Sequence, residues 1–421
     1  MSTPPLAPTT AGNERHGLFL VILAGLGMVG PFSIDTMFPA FAQLSAEWGV
    51  SEFALQQVIS VYMLTFAVMS LVHGPLSDAL GRKPVIIAGT IVFIAASVGC
   101  ALSPSLGVLL VFRALQGISA GAGVIISRAM VRDVFSDAQA QRTMSHIAMI
   151  FGLAPAVAPV VGGALLVFGS WRWIFWFLVA VGFVILILVV FFLAETHPES
   201  RRTAFRPRPL VAGLISVMRD PGGRRLAFTA QLNMGAMFLY ISAAALVIGT
   251  LLGLGEGDFW ILFVPMISGM VLGSWASSHL AGRISPVRQA SIGYVISLSA
   301  GVVNLALSLI PGTQGLPWPI VALPVLTFGL GLTFPVVTLA MLDLFPDTRG
   351  AASSVQNFVT LLGNAAISGI VAPLLAFSFT GLAAGSLVLM GLSGLLWRRH
   401  IALVRITERD ASQAAGYEPF D

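Results

Sequence analysis

The stretch Pro31-Phe32-Ser33-Ile34-Asp35-Thr36-Met37-Phe38-Pro39 decides how this chain folds. It lies in a run, residues 18–42, in which Asp35 is the only charged residue. About 20 apolar residues suffice for a helix to cross a bilayer. A lone carboxylate inside such a run costs at least ~2.5–3.5 kcal/mol on insertion scales, so by default it marks function. Pro31 and Pro39 bracket the acid, and each removes a backbone donor and loosens the helix beside it. The plainer alternative places Asp35 near the outer end of the span, reaching water. Against it, Pro39, Ala40 and Phe41 carry the apolar run beyond the acid.

Composition places the whole chain in the same class. Of its 421 residues, 57% are hydrophobic and 10% charged, and the mean hydropathy is +0.92. Soluble chains carry about 25% charged residues. The expected fold class is an all-α membrane protein. A membrane β-barrel is excluded, because its strands would alternate polar and apolar residues. The isoelectric point near 9.8 does not imply nucleic-acid binding, since the basic residues flank apolar spans and signal topology. Cys100 is the only cysteine, which excludes an intramolecular disulfide and a cysteine metal cluster. His73, His146 and His279 lack metal-ligand spacing to one another.

Apolar runs between charged or Gly/Pro punctuation give about twelve spans. They fall near 17–41, 53–73, 84–103, 106–128, 143–168, 172–194, 226–252, 258–281, 287–310, 318–342, 351–376 and 379–397. The expected organisation is a disordered N-terminal tail (1–16), a six-helix bundle (17–194), a linker (195–225), a second six-helix bundle (226–398) and a C-terminal tail (399–421). With both termini cytoplasmic, the inner segments collect Arg82, Lys83, Arg128, Arg132, the arginines from 201 to 225, Arg283, Arg288, Arg349, Arg398 and Arg399. Only Arg172 falls in an outer loop and only Arg113 within the membrane, as the positive-inside rule requires. Residues 210–218 of the linker form either a short amphipathic helix on the inner membrane surface or a plain connection.

The halves look duplicated. Asp133-Val-Phe-Ser-Asp137 follows the fourth span and Asp343-Leu-Phe-Pro-Asp347 the tenth, while Leu80-Gly-Arg82-Lys-Pro84 is echoed by Leu280-Ala-Gly-Arg283-Ile-Ser-Pro286. Two six-span repeats joined by a basic loop suggest a transporter with a central site. Yet Asp35 and Arg113 occur deep in the first repeat alone, and charge needed merely for stability would be expected in both. One acid and one base in one half fit a coupling device. Asp35 is a candidate partner of Arg113, directly or through water, the alternative being a static pair that fixes helix packing. Desolvation and a nearby cation act in opposite senses on a carboxylate's hold on its proton. Exchange between the two environments would load and release that proton.

Other stretches carry their own chemistry. In Gly74-Pro-Leu-Ser-Asp78-Ala-Leu-Gly81-Arg82-Lys83-Pro84, Gly81 permits a tight turn and Asp78 and Arg82 can bridge neighbouring helix ends. An aspartate at a helix C-terminus is unfavourable for that helix's dipole, so Asp78 should seek a cation or another helix's N-terminus. Arg132 and the start of the eleventh span are candidates. Pro155, Pro159, Gly162 and Gly163 combine bends with small residues that let helices approach closely. Gly25-Leu-Gly27-Met-Val-Gly30 fits a dinucleotide fingerprint but follows no strand. Gly117-Ile-Ser119-Ala-Gly121 fits a nucleophile elbow but has no evident membrane-embedded histidine base.

These motifs resemble a known family. The Asp78/Arg82 loop, Arg113-Ala-Leu-Gln116-Gly117 and Ala158-Pro-Val-Val-Gly162-Gly163 are similar to three signatures of the drug:proton antiporters of the major facilitator superfamily. Ser33-Ile-Asp35-Thr-Met-Phe-Pro39, Met237-Phe-Leu-Tyr240-Ile-Ser242 and Leu344-Phe-Pro346 with Gly350-Ala-Ala-Ser353 resemble its Bcr/CflA drug-resistance branch. The resemblance covers about 17–398. It implies the major facilitator fold, with Asp35 as proton-responsive acid, Arg113 as its coupled base and Asp78, Gly81, Arg82 and Arg132 at a cytoplasmic gate. Pro155, Pro159, Gly162 and Gly163 would form the antiporter motif. Two departures stand out: Ala158 replaces the motif's usual glycine, and the second copy of the gate loop lacks its aspartate.

The expected function is proton-driven export of small, mostly apolar compounds by alternating access, from an inner membrane, by a monomer without cofactor or metal. Its partners would be the small-molecule substrate, protons and the lipid bilayer, with no nucleic acid. Tyr62, Met63, Phe238, Tyr240, Asn357 and Phe358, near mid-span, are expected to line the substrate cavity, because aromatic and methionine side chains accept varied apolar shapes. The rivals are a proton-coupled importer of a metabolite, a non-transporting receptor or scaffold, and an intramembrane enzyme.

Overall fold

A computed structural model of the chain describes residues 10–135, 143, 154–202, 205 and 207–414. The expected tails before residue 10 and after 414, and the fifth span's beginning at 144–153, lie outside the described residues. Among the described residues there is no strand, only an isolated bridge between Ala281 and Ile284. Ten of the helices are long and apolar enough to cross a membrane.

In chain order the first helices are α1 (Thr10–Asp35), α2 (Phe41–Trp48), α3 (Glu52–Ser70), α4 (His73–Leu80), α5 (Arg82–Ala101) and α6 (Leu106–Val134). Next come α7 (Ala154–Leu166), the described part of the fifth span, and α8 (Arg172–Phe192). The linker contains α9 (Pro207–Arg219), so the amphipathic helix forms there. The remainder is α10 (Pro221–Ser242), α11 (Trp260–Leu280), α12 (Pro286–Leu309), α13 (Trp318–Val321), α14 (Leu323–Leu344), α15 (Arg349–Ala366), α16 (Ala372–Leu375) and α17 (Phe379–Ala414). With α7 and α10 in the fifth and seventh places, the twelve expected span positions are occupied.

Two helix ends differ from the sequence reading. Helix α1 already begins at Thr10, inside the stretch read as a disordered tail. Helix α17 runs on to Ala414 as one 36-residue helix, through the stretch read as a tail. Ser378 starts it by accepting the Gly381 amide at 3.0 Å, an N-cap bond.

Packing divides the chain into two units. The first, residues 1–48 and 68–206, sets α1 and α5 against α6 and α8. Its apolar core includes Ile22, Leu26, Ile86, Ile126, Met130 and Val189. The second, residues 49–67 and 207–421, centres on α14 between α11 and α12, and on α10 between α15 and α17. Residues 49–67, most of α3 with the three residues before it, thus group with the second unit, although they belong to the first repeat by sequence. Polar bonds account for this: Gln56 Nε2 donates to the Ser242 carbonyl at 2.9 Å, Ser368 Oγ donates to Gln56 Oε1 at 3.0 Å, and Ser60 Oγ donates to the Ala365 carbonyl at 2.8 Å.

Apolar side chains gain nothing from leaving lipid for one another, so helix contact inside a membrane rests on close fit. Helix α11 carries Gly269 and Gly273, four residues apart and so on one face. A Cβ at Gly273 would collide with the Phe328 carbonyl of α14, and one at Gly269 with the Pro324 carbonyl. Overpacking of this kind costs about 1–3 kcal/mol. Gly273→Val is therefore expected to lower the thermal midpoint of the detergent-solubilised protein by several degrees. Gly315→Ala, where a Cβ meets nothing, should leave it unchanged; equal midpoints for both variants would contradict this packing.

Candidate functional site

The first span breaks where its prolines and acid predict. Helix α1 ends at Asp35, the chain turns at Thr36-Met37, and a single 3-10 turn, Phe38–Ala40, leads into α2. The last carbonyls of a helix lack intrahelical donors. Here Thr36 N–H donates to the Phe32 carbonyl at 3.1 Å, but Met37 N–H turns to the Ile34 carbonyl at 3.3 Å. A continuing helix would have sent Met37 N–H to the Ser33 carbonyl. That carbonyl is taken by Arg113 of α6, whose Nη1 donates to it at 3.0 Å.

A cation is the favourable partner for a helix C-terminus, and this one is held by a buried polar chain. Arg113 is 0% exposed and its Nη1 also donates to Gln116 Oε1, one turn along α6, at 2.9 Å. Gln116 Nε2 donates to Ser97 Oγ of α5 at 2.7 Å, and Ser97 Oγ donates to the Phe93 carbonyl at 2.7 Å. Cys100 Sγ lies 3.6 Å from Gln116 Oε1. No ion pair joins Arg113 to Asp35 among the described residues; the arginine holds the backbone two residues before the acid. Asp35 itself is 4% exposed.

The other side of the break is held by α7. Gly162 and Gly163 are buried, and a Cβ on Gly162 would overlap the Thr36 carbonyl. Pro159 of the same helix is buried and Pro155 half-buried. Asp35 therefore sits between a carbonyl held by Arg113 and a carbonyl against which Gly162 packs. The structure thus brings together the two residues proposed for proton coupling and the glycine of the proposed antiporter motif.

A second charged cluster lies at the end of the unit where α4 meets α5. Gly81 joins them at φ +99°, a region open to glycine, and a Cβ there would also lie 2.7 Å from Glu195 Oε2. Arg82, 6% exposed, bridges Asp78 at 2.5 Å and Asp133 at 3.1 Å, and donates to Ser77 Oγ at 2.6 Å. Glu195 accepts the Arg82 and Lys83 amides, each at 3.0 Å, capping α5. Thr196 Oγ1 donates to Asp133 Oδ2 at 2.9 Å. Arg132, the cation expected to meet Asp78, is exposed, and among the described residues no ion pair joins the two. Adjacent helical residues point about 100° apart, so Asp133 turns inward where Arg132 turns out. Glu195 was missed in the sequence, although an acid directly after an apolar span was the available signal.

All six cavity candidates fall in the second unit. Tyr62, Met63, Phe238 and Tyr240 are buried, and Asn357 and Phe358 are half-buried. Asn304 Nδ2 donates to the Tyr240 hydroxyl at 2.6 Å, beside a small crevice lined also by Ser308, Trp318 and Phe379. Of the residues that bind 49–67 to this unit, Ser242 ends one of the motifs quoted for the resemblance, while Gln56, Ser60 and Ser368 carried no sequence signal beyond being polar within apolar spans.

Arg82 serves two carboxylates from a buried position, whereas Asp78 is 43% exposed. Removing the cation from a buried cluster costs about 3–5 kcal/mol, against roughly 0–1 kcal/mol for an exposed pair member. Arg82→Gln is therefore expected to lower the thermal midpoint in detergent several times more than Asp78→Asn. Equal losses would contradict the assignment of Arg82 as the hub.

Comparison with known proteins follows the same lines. The sequence pattern of the Major Facilitator Superfamily matches residues 23–368. An uncharacterized MFS-type transporter, YdgK, of Bacillus subtilis (strain 168) is 30% identical over 391 residues, covering 91% of this chain and 96% of its own. The multidrug resistance protein D of Escherichia coli (strain K12) is 29% identical, covering 91% and 94%. The bicyclomycin resistance protein homolog of Haemophilus influenzae is 28% identical, covering 84% and 89%. A crystal structure of a bacterial homolog to the human lysosomal transporter Spinster, inward-facing and unoccupied, superposes with a TM-score of 0.70 at 16% identity. It covers 96% of this chain and 99% of that one, a likeness of fold.

Proposed function

From the premise that this chain belongs to the Major Facilitator Superfamily, we propose that it exports small, mostly apolar drug-like compounds in exchange for protons. Membership makes it a multi-pass membrane transporter and not an enzyme. The step to drugs is supported by the names of its relatives, a bicyclomycin resistance protein homolog and a multidrug resistance protein. The step to protons rests on one observation: Asp35 is buried at the broken end of the first span, where Arg113 bonds the Ser33 carbonyl before it and Gly162 packs on the Thr36 carbonyl after it.

The proposed cycle uses those parts. Asp35 takes a proton from outside and releases it inside as the site is exposed to one face and then the other. Arg113 fixes the helix end that carries the acid, so that movement of α6 or α7 is felt at Asp35. The aromatic and methionine residues of the second unit supply an adaptable apolar wall for substrate. The fan of acids about Arg82 closes the cytoplasmic end. Arginine placement supports cytoplasmic termini, and in the proposed reading the protein works in an inner membrane as a monomer without cofactor. One proton moving down about one pH unit supplies ~1.4 kcal/mol, and 100 mV adds ~2.3 kcal/mol. Together they could hold a several-hundred-fold gradient of a neutral compound.

Proteoliposomes challenged with a panel of apolar dyes under an imposed pH gradient test this reading. Wild-type protein is expected to move at least one dye against the proton flow, and Asp35→Asn to fall to the level of empty liposomes while remaining folded. Dye movement by Asp35→Asn that still follows the pH gradient would refute the role of the acid. Movement with the proton flow would replace export by import.

A further inference from the structure

The linker helix α9 has two faces, and only one is accounted for by the fold. Its inner face packs on α15 and α10: Val217 is 0% exposed and joins a core with Leu226, Val355 and Trp397, and a Cβ on Gly213 would lie 3.6 Å from that of Ala351. The opposite stripe is Arg208, Val211, Ala212, Ile215 and Arg219, all exposed. Steps of three and four residues place them along one side of the helix. Val211 is 47% and Ile215 43% exposed. The stripe is therefore apolar in its middle and cationic at both ends, the arginines about 16 Å apart by helical rise.

The level of this helix in the fold says what such a stripe meets. Its contact at Ala351 is with the first turn of α15, where the span Arg349–Leu375 begins. The start of a span of that length and composition belongs at the boundary between hydrocarbon and water. Nearby, Arg224 is exposed, while Asp220 is engaged in capping α10 through the Gly223 amide at 2.7 Å. A patch at this level with aliphatic side chains between guanidinium groups matches a phospholipid surface: the aliphatics reach the acyl boundary and the arginines pair with phosphate.

We propose that α9 is an interfacial helix whose outward stripe binds anionic phospholipid headgroups, with Arg208 and Arg219 as the phosphate-binding residues. This site uses none of the residues proposed for proton coupling or for the substrate cavity, and it uses the sequence topology reading only in placing the arginine-rich end at the anionic leaflet. Arginines at both ends fix the helix axis parallel to the membrane plane, and with it the inner ends of α10 and α15, against which it packs.

The test uses full-length protein in nanodiscs, whose two leaflets carry the same lipids, so the outcome does not depend on orientation. Ile215→Cys is labelled with an environment-sensitive fluorophore; the native Cys100 is buried, and unsubstituted protein gives the background. Brominated phosphatidylglycerol or brominated phosphatidylcholine is then added to phosphatidylcholine discs at equal mole fraction. Quenching is expected to be much stronger with the anionic lipid, and Arg208→Gln with Arg219→Gln to reduce that preference roughly 30-fold, the combined attraction of two arginines to an anionic surface. A label at Val211→Cys should behave alike. Equal quenching by the two lipids, a preference that survives loss of both arginines, or a label that neither lipid quenches, as when α9 faces water or a soluble protein, would each overturn the proposal.

Discussion

The hydrogen bond from Arg113 to the Ser33 carbonyl is the contact on which the rest of the site depends. A helix broken inside a membrane leaves carbonyls that no water can satisfy. The turn after Asp35, with Pro39 beyond it, creates that break, and the guanidinium of α6 satisfies it. The arginine is desolvated in the process, and Gln116, itself held by Ser97, offsets part of that cost by taking a second bond from Nη1. An arginine suits this task because its donors are fixed in a plane and its charge persists at any ordinary pH. The acid is thereby held at a helix end whose position depends on a neighbouring helix, and not in a simple ion pair.

The same unit contains the second charged cluster, and the two solve the same problem by different means. Around Arg82 the cation is central and the acids converge on it; Glu195 meanwhile occupies the amide donors at the start of α5, as a carboxylate at a helix N-terminus should. Around Asp35 no such convergence exists among the described residues: the acid is buried, and Arg113 bonds the main chain at Ser33 and not the carboxylate. Carboxylates that share a buried cation are held in place, while an acid outside any ion pair responds to its surroundings. That contrast fits structure at one end of the unit and chemistry in its middle.

Much of this was legible in the sequence, and the limits are physical. Asp35 and Arg113 stood out because charge in a long apolar run is costly and rare. The break after Asp35 followed from Pro31 and Pro39. What Arg113 binds did not follow, because its acceptor is a main-chain carbonyl and any residue type offers one. The choice between Arg132 and Asp133 as the neighbour of the gate loop turned on helix rotation, which a one-residue shift alters by more than a quarter turn. Gln56 and its partners Ser242 and Ser368 are separated by 186 and 312 positions, and nothing in the repeat pattern indicated that the start of α3 would pack with the second unit. The amphipathic linker helix, by contrast, was visible as one of two alternatives, since its apolar and basic residues already fell at helical spacing.

Amide hydrogen exchange of the peptide spanning residues 30–40, compared among wild type, Arg113→Met and Asp35→Asn, tests the central claim most directly. A hydrogen bond from a charged donor contributes about 1.5–3 kcal/mol, so losing it should speed exchange at residues 34–37 roughly ten- to a hundredfold in Arg113→Met. Asp35→Asn should leave those rates unchanged, because the arginine grips the backbone and not the carboxylate. Unaltered exchange in Arg113→Met, or equal acceleration in both variants, would contradict the account.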